Sequence, residues 1–358
     1  MNKKSKIVIS MFSSSEKIKG QGVDSAYQEL IKALEDFSDD FEIVFKKKSF
    51  IDIAHFHTVD FRHFLFQLIS KGRIITVVTV HFLPQTLENS LNLPFFLKHI
   101  FYNYLINFYK SVDYLVVVNP NFVKELESYG IAEERITYIP NFVSDESFYP
   151  FTQEQIETER KNLGISLDKF VIFGNGQVQI RKGVQNFLEV AKKMPDTEFL
   201  WAGGFSFGKI TSGYENLKKM VENPPTNVKF LGIIDRKKMN LYYNISDLFF
   251  LPSYNELFPM SILEAMACHK PLLLRDLQEY KDILNGYYLK GNEVNDFISE
   301  IKKLRINKDY YEQAKENSIL GGQFYSKNNV TSKWREFYLN LYESKKQNRK
   351  NPSHKFNG

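Results

Sequence analysis

Two glutamates eight residues apart, Glu256 and Glu264, stand in the stretch LFFLPSYNELFPMSILEAMACHKP (248–271). The pattern predicts a strand ending at Leu251-Pro252-Ser253, a loop carrying Glu256, and a helix opening near Pro259. Proline is tolerated in a first helical turn because its missing N–H would have no intrahelical partner. The turn Phe258-Pro259-Met260 would then aim main-chain amides, those of Met260 and Ser261, outward at the positive end of the helix dipole. Such an end suits a diphosphate. One carboxylate on the loop and one in the helix could both accept from the hydroxyls of a ligand spanning a sugar and a ribose. A solvated Glu256 and a Glu264 that pairs with the helix dipole would fit the spacing as well.

A second stretch, FVIFGNGQVQIRKGVQNFLEVAKKM (170–194), reads as strand, glycine-bearing loop, basic pair and helix, a phosphate-binding layout. Arg181 and Lys182 there could neutralise charge growing on a leaving diphosphate, or be a basic pair exposed in a loop. Near the amino terminus, Gly20-Gln21-Gly22-Val23 precedes a helix expected from Asp24. Glycine there lets the backbone approach a phosphate or sugar, although a plain turn has the same spelling. The sixth position is Ser25, so a G-x-G-x-x-G dinucleotide fingerprint is absent. His81 follows a strand directly and would sit at a strand-end mouth, as a ligand contact or a hydrogen-bonded loop residue. His55 and His57 share one strand face. With no third and fourth ligand in sight, a metal site is not expected.

These residues must be positioned by strands. Short apolar runs recur in the first half at 6–10, 41–46, 52–57, 74–80, 114–118 and 136–140, separated by helical patterns near 24–36, 60–71, 94–111 and 121–129. Runs apolar on both faces, alternating with helices, indicate a parallel sheet covered on both sides. The pattern restarts with runs at 170–174, 198–203, 228–232, 247–253 and 271–276, and helices near 183–194, 212–222, 236–245 and 260–268. Residues 141–155, polar and containing Pro150, read as a linker. Helical segments close the chain near 293–304, 307–319 and 329–345. The expectation is two doubly wound α/β domains, 1–145 and 146–325, followed by a helix and basic tail, 326–358. Ligands in such sheets bind beyond the carboxyl ends of the strands, so two facing domains make a cleft there.

Composition limits the alternatives. The 42.0 kDa chain exceeds what one core usually organises. One cysteine, Cys268, excludes an intrachain disulfide framework and suits a reducing compartment. No run of about 18 uncharged apolar residues appears, so no spanning helix is expected, and the start MNKKSKIVIS reads as a first strand rather than a signal peptide. The net charge of +5 is largely a tail effect, because the last fifteen residues hold 5 basic residues and no acid. Residues 1–150 hold 16 Lys and Arg against 18 Asp and Glu. A nucleic-acid binder would need a basic stripe within a domain.

ELFPMSILE resembles the E-x7-E signature of the retaining glycosyltransferases of family 4, which have the two-domain GT-B fold. SDLFFLPS, EAMACHKP and IPNFVSDESFYP resemble the family's surrounding text. The resemblance implies that Glu264 binds the nucleotide ribose and Glu256 the donor sugar beside its anomeric centre. GQVQIRKG is similar to the family's G-R-L-x-x-x-K-G, whose arginine and lysine bind the diphosphate. Here Gln177 stands in the arginine position and Lys182 in the lysine position, so Arg181 is the candidate for the missing charge. The resemblance also implies that Gly22 lies in the glycine-rich first loop, that His81 approaches the donor sugar, and that a UDP-sugar is used without a metal or other cofactor. No D-x-D pair stands at a strand end, in keeping with that.

Residues 89–111 hold no acid, two lysines and seven aromatics. Leu97, Phe101, Tyr104, Leu105 and Phe108 recur at helical spacing, while Phe95, Phe96, Ile100, Tyr102 and Tyr109 lie on other sides. One face must pack on the sheet; the remainder could join the core or lie in a membrane surface. HFHTVDFR (55–62), VHFLPQTLENSLNLP (80–94) and GQVQIRKG (176–183) resemble the Gram-positive family 4 enzymes that glycosylate diacylglycerol lipids, the diglycosyl-diacylglycerol synthases among them. That resemblance implies UDP-glucose or UDP-galactose as donor and a glycolipid acceptor, which His57 could meet. It also implies a peripheral enzyme on the cytoplasmic face of an anionic membrane, with Lys98 and Lys110 near the lipid.

Overall fold

The computed structural model describes residues 5–15, 22–45, 50–84, 94–206, 208, 211–256 and 258–350. Six parallel strands form the first sheet: β1 (Ile7–Phe12), β2 (Phe41–Val44), β3 (Ile53–Phe56), β4 (Ile75–Val80), β5 (Tyr114–Val117) and β6 (Ile136–Tyr138), in the order β2-β1-β3-β4-β5-β6. All six residues of β4, ITVVTV, are buried, as expected of a strand with helices on both faces. Those helices are α1 (Gly22–Glu35), α2 (Phe61–Ser70), α3 (Phe95–Ser111) and α4 (Asn121–Ser128).

After α5 (Gln153–Asn162) the second sheet is built from β7 (Val171–Asn175), β8 (Glu198–Ala202), β9 (Val228–Gly232), β10 (Leu248–Leu251), β11 (Leu272–Arg275) and β12 (Leu289–Gly291). Its order is β12-β11-β10-β7-β8-β9, again all parallel. The intervening helices are α6 (Val184–Lys193), α7 (Tyr214–Glu222), α8 (Arg236–Ile245), α9 (Met260–Ala267), α10 (Gln278–Leu284), α11 (Val294–Ile306) and α12 (Lys308–Phe324). On α6, Val184, Phe187, Leu188 and Ala191 are buried, a 3.6-residue stripe laid on the sheet.

The strand orders place the switch points at which connections change direction. In the second sheet it lies between β7 and β10, in the first between β1 and β3. A doubly wound sheet opens a crevice there at its carboxyl edge. Lys182 follows β7 and Glu256 follows β10, while Gly22 follows β1 and His57 follows β3.

Four elements depart from the sequence expectation. The stretch read as linker to 155 turns helical at Gln153, because Thr152 and Gln155 form a reciprocal capping box. The strand β12 and helix α10 were hidden by their brevity: β12 has three residues, and α10 is short although Tyr280, Ile283 and Leu284 form its buried stripe. The last helix, α13 (Lys327–Lys350), crosses back to the first sheet. Trp334, Phe337, Tyr338 and Leu341 form its apolar stripe against Leu30, Ala33 and Leu34 of α1. The first domain's core is therefore closed by the chain's final helix, beside a single parallel bridge between Val143 and Ser326 where the two crossings meet.

Candidate functional site

At the second switch point, the loop after β7 curls under the end of β10. Gly183 sits at φ +69°, and a β-carbon there would come within 2.1 Å of the Pro252 carbonyl oxygen. Only glycine permits that left-handed turn at that distance. The turn is held by the Tyr254 N–H, which donates to the Arg181 carbonyl at 2.7 Å. Lys182 and Glu256 are thereby brought together, both buried, with the Lys182 ammonium donating to Glu256 Oε1. Arg181 Nη1 lies 3.7 Å from the other oxygen of Glu256. Burial alone would raise the Glu256 carboxyl pKa, but Lys182 and Arg181 outweigh it and hold the group below the usual carboxylate range. Burial depresses the Lys182 ammonium, Glu256 opposes that, and Arg181 adds to it. Two cations beside one carboxylate leave a net positive charge at this strand end.

The side chain of Arg181 is aligned by a chain of amides. Its Nε donates to Gln179 Oε1 at 2.9 Å, and Gln179 Nε2 donates to Gln177 Oε1 at 2.8 Å. Gln177 is thus linked to Arg181 through one neighbour, and the cation reaches Glu256 from the far side of Lys182.

Pro259 is the residue before α9 rather than its first member, with ψ of 126°, and Met260 begins the helix. Phe258 is buried with its ring 5.0 Å from Tyr325, and its carbonyl accepts from Asn141 Nδ2 at 3.2 Å. Its aromatic ring faces the core, so Phe258 borders the loop with its main chain. Gly22 opens α1 two residues earlier than expected, and a β-carbon on it would touch Met260 Cγ at 3.9 Å. The amino ends of α1 and α9 therefore meet across the cleft, two positive dipole ends at one place. Gly20 and Gln21 lie outside the described residues.

Glu264 lies in the second turn of α9 and is buried. Its Oε1 accepts from Arg236 Nη1 and its Oε2 from the Tyr243 hydroxyl at 2.7 Å. Arg236 also donates from Nη2 to Glu29 Oε1 of α1 at 2.7 Å. Arg236, Tyr243 and Glu29 escaped the sequence reading because nothing in their spacing ties them to α9. Arg236 is spelled only as the first residue after the capping Asp235.

In the first domain, His81 and His57 face each other, Nε2 to Nδ1, at 3.5 Å. Both are buried; His57 Nε2 has no hydrogen-bond partner, and its ring packs edge to face with Tyr27, ring centres 4.9 Å apart. Burial lowers the His81 pKa to about 4 and that of His57 well below its ordinary value. His55 shares the face, its ring 4.2 Å from that of His57, but it is a core residue. Its two nitrogens are taken by Tyr338 at 2.7 Å and Thr79 at 2.8 Å. Among the described residues no three His, Cys, Asp or Glu side chains are placed to hold a metal ion.

α3 divides along its length rather than around it. Leu105, Phe108 and Tyr109 of its second half are buried, whereas Phe96, Leu97 and Ile100 of its first half are exposed. The Phe95 side chain lies outside the described residues. α2 packs along the second half of α3, Phe64 against Tyr104 and Phe108, and exposes Phe61, Leu65, Leu68 and Ile69, a feature missed because an amphipathic helix over a sheet usually turns such residues inward. Among the described residues no helix is long and apolar enough to cross a membrane.

Residues 155–320 match the model of the glycosyl transferases group 1, and residues 37–147 that of Glycosyltransferase Family 4. Over 338 residues the chain is 45% identical to an alpha-galactosylglucosyldiacylglycerol synthase of Streptococcus pneumoniae, covering 94% of this chain and 90% of that protein. It is 31% identical over 214 residues to a processive diacylglycerol alpha-glucosyltransferase of Acholeplasma laidlawii, covering 59% and 61%. In fold it is similar to a sucrose-phosphate synthase of Thermosynechococcus elongatus, with a TM-score of 0.77 at 14% identity over 95% of this chain and 100% of that one. Similar too is the Anabaena protein HepE in complex with UDP-glucose, with a TM-score of 0.74 at 14% identity over 94% and 100%.

Proposed function

We propose, from the premise that this chain belongs to the family 4 glycosyltransferases, that it transfers a hexose from a UDP-sugar to a membrane glycolipid. The acceptor is monoglucosyl-diacylglycerol and the product a diglycosyl lipid with the donor's anomeric configuration retained. The observation that carries this reading is the pairing of Lys182 and Arg181 on Glu256 at the switch point of the second sheet. A diphosphate leaving group gains negative charge as its bond to the sugar breaks. Fixed cations and helix-end amides aimed at that charge lower the barrier without reorganising water. Lys182, Arg181 and the start of α9 hold the diphosphate; Glu256 holds the sugar; Glu264 takes the ribose hydroxyls. The acceptor hydroxyl attacks from the leaving-group face, and its proton passes to the diphosphate oxygen. This route asks for no enzyme base, which suits a site whose buried histidines take up a proton only weakly. His81 and His57 border the sugar and acceptor side, and no metal is required because the cations do its work.

The acceptor side is read from the first domain. Residues 61–112 contain five Lys and Arg against one acid, Glu88. With the exposed apolar residues of α2 and α3 they suit an anionic lipid surface, on which acyl tails stay while the sugar headgroup enters the cleft. On this reading the chain is a peripheral protein of the cytoplasmic face of the membrane. The relative named for galactosylglucosyldiacylglycerol makes UDP-galactose the first donor to try and UDP-glucose the second. The test is mass analysis of lipid products after incubation with each donor and vesicle-borne monoglucosyl-diacylglycerol. A diglycosyl lipid with an α linkage is expected. No lipid product with either donor, or transfer to soluble glycans only, overturns the acceptor assignment.

A further inference from the structure

Glu264 is not held by its own domain alone. Its carboxylate is fixed on one oxygen by Tyr243 and on the other by Arg236, and Arg236 is in turn gripped from the other domain. Glu29, in the first domain and 3% exposed, takes the second arm of the guanidinium at 2.7 Å. Glu29 is itself anchored to the crossover between domains, its Oε2 accepting from the Ser144 amide at 3.1 Å. The guanidinium of Arg236 also lies over the Phe148 ring of the same crossover, 5.0 Å from its centre. Asn175, at the end of β7, orients Tyr243 by donating to its hydroxyl at 3.1 Å. A carboxylate oxygen has acceptor room for two donors, so these contacts set the plane of the Glu264 carboxylate while leaving a lone pair on each oxygen for a vicinal diol.

We infer that Arg236 is a positioning residue for nucleotide recognition and that it ties this recognition to the contact between the domains. The inference rests on the reading of Glu264 as the ribose acceptor. When Glu29 holds Arg236, the carboxylate is aimed and its charge is compensated by a fixed partner. When the first domain swings away, Arg236 loses one of its two anions and turns more fully onto Glu264, competing with the ribose. Nucleotide affinity thereby depends on domain closure, and by reciprocity bound nucleotide favours closure. Glu29 itself, on the opposite domain, need not touch the nucleotide for this to hold.

The experiment is a double-mutant cycle on UDP binding, measured by calorimetry with Glu29→Gln, Arg236→Gln and the pair. Glu29→Gln keeps the shape and one acceptor oxygen; it removes the charge and one of the two accepted hydrogen bonds, from Arg236 or from the Ser144 amide. The expected result is a UDP dissociation constant raised about fivefold by Glu29→Gln, an energy in the usual range of coupling between sites. Arg236→Gln should raise it at least as much, and the pair no more than Arg236→Gln alone, because Glu29 acts only through the arginine. Turnover at saturating donor should stay near that of the parent in Glu29→Gln, the mark of an interaction made equally in ground and transition states. Arg236→Lys, which keeps a charge but loses the fork, serves if Arg236→Gln unfolds; adding Glu29→Gln to it should raise the constant by less than Glu29→Gln does in the parent. An unchanged constant for folded Glu29→Gln, or additive effects in the pair, overturns the inference. Failure of the parent chain to bind UDP would instead overturn the reading of Glu264, and this inference with it.

Discussion

The carboxyl edges of the two sheets carry opposite chemistry on the same kind of scaffold. Each sheet is six parallel strands with a switch point. At the second sheet's edge stand buried ion pairs, Lys182 and Arg181 on Glu256, and Arg236 on Glu264. At the first stand buried histidines with depressed pKa values, and beyond them helices with exposed apolar residues. A charged ligand end and an uncharged sugar joined to lipid would call for this division. Fixed charges recognise and stabilise a diphosphate, whereas neutral imidazoles exchange hydrogen bonds with sugar hydroxyls without adding charge of their own. The scaffold supplies the crevice, and the residues at the strand ends decide what enters it.

The contrast is broken most sharply on the charged side. Lys182→Ala should lower turnover on the order of 10²-fold or more, the scale of losing one donor to a developing negative charge. Loss of Lys182 also leaves Glu256 buried beside Arg181 alone, so the thermal midpoint must be measured in parallel. A folded Lys182→Ala chain with near-parent turnover would mean that the positive edge of the second sheet is structural.

On the neutral side the test is pH. His81 titrates near 6.5 when unfolded and near 4 when folded, so between those values the unfolded chain binds the extra proton. Stability from this residue is complete above pH 6.5 and is lost as pH falls toward 4, by about 2 kcal/mol at pH 5. Urea unfolding at pH 7 and pH 5 should show His81→Gln losing less stability over the interval than the parent. Equal losses would mean that the histidine is not held neutral by burial, and the contrast between the two edges would fail. Burial depresses His55 and His57 with the same sign in both chains; His81 adds a smaller part to each shift, so the difference between the chains reads His81 together with that coupling.

The comparison also explains what the sequence made legible. Glu256, Lys182 and the opening of α9 were readable because they lie in short continuous stretches at strand ends, where local chemistry and local geometry coincide. Arg236, Glu29 and the packing of α13 depend on contacts between residues far apart in the chain, such as His55 with Tyr338, and no local pattern encodes them. α3 shows a mixed case. Its helical spacing was plain, yet its exposure changes along its axis because only its second half crosses the sheet. A hydrophobic period reports a face and says nothing about how much of its length is covered.

That exposed half gives the next test. Phe96 is 62% exposed, so replacing it with serine should leave folding intact. Partition onto anionic vesicles should fall about tenfold if the ring enters the interface, an energy of about 1.4 kcal/mol and at the low end for a large apolar side chain. Unchanged sedimentation with vesicles would place α3 outside the lipid contact and assign docking to α2 alone.

The smallest effect distinguishes charge from apolar contact on the same surface. Lys71 ends α2 and is exposed beside Ile69, which is 73% exposed. A basic residue near a negatively charged leaflet contributes about 1 kcal/mol. Lys71→Gln should therefore weaken binding to anionic vesicles about fivefold at low salt. The loss should shrink as ionic strength rises and the Debye length falls. On vesicles of neutral lipid the same substitution should change nothing, whereas Phe96→Ser should weaken binding to both kinds. A Lys71→Gln effect of equal size on neutral and anionic vesicles would show that the residue acts through the local structure of α2. The first domain's edge would then be apolar without being basic, and the charge of the leaflet would play no part in docking.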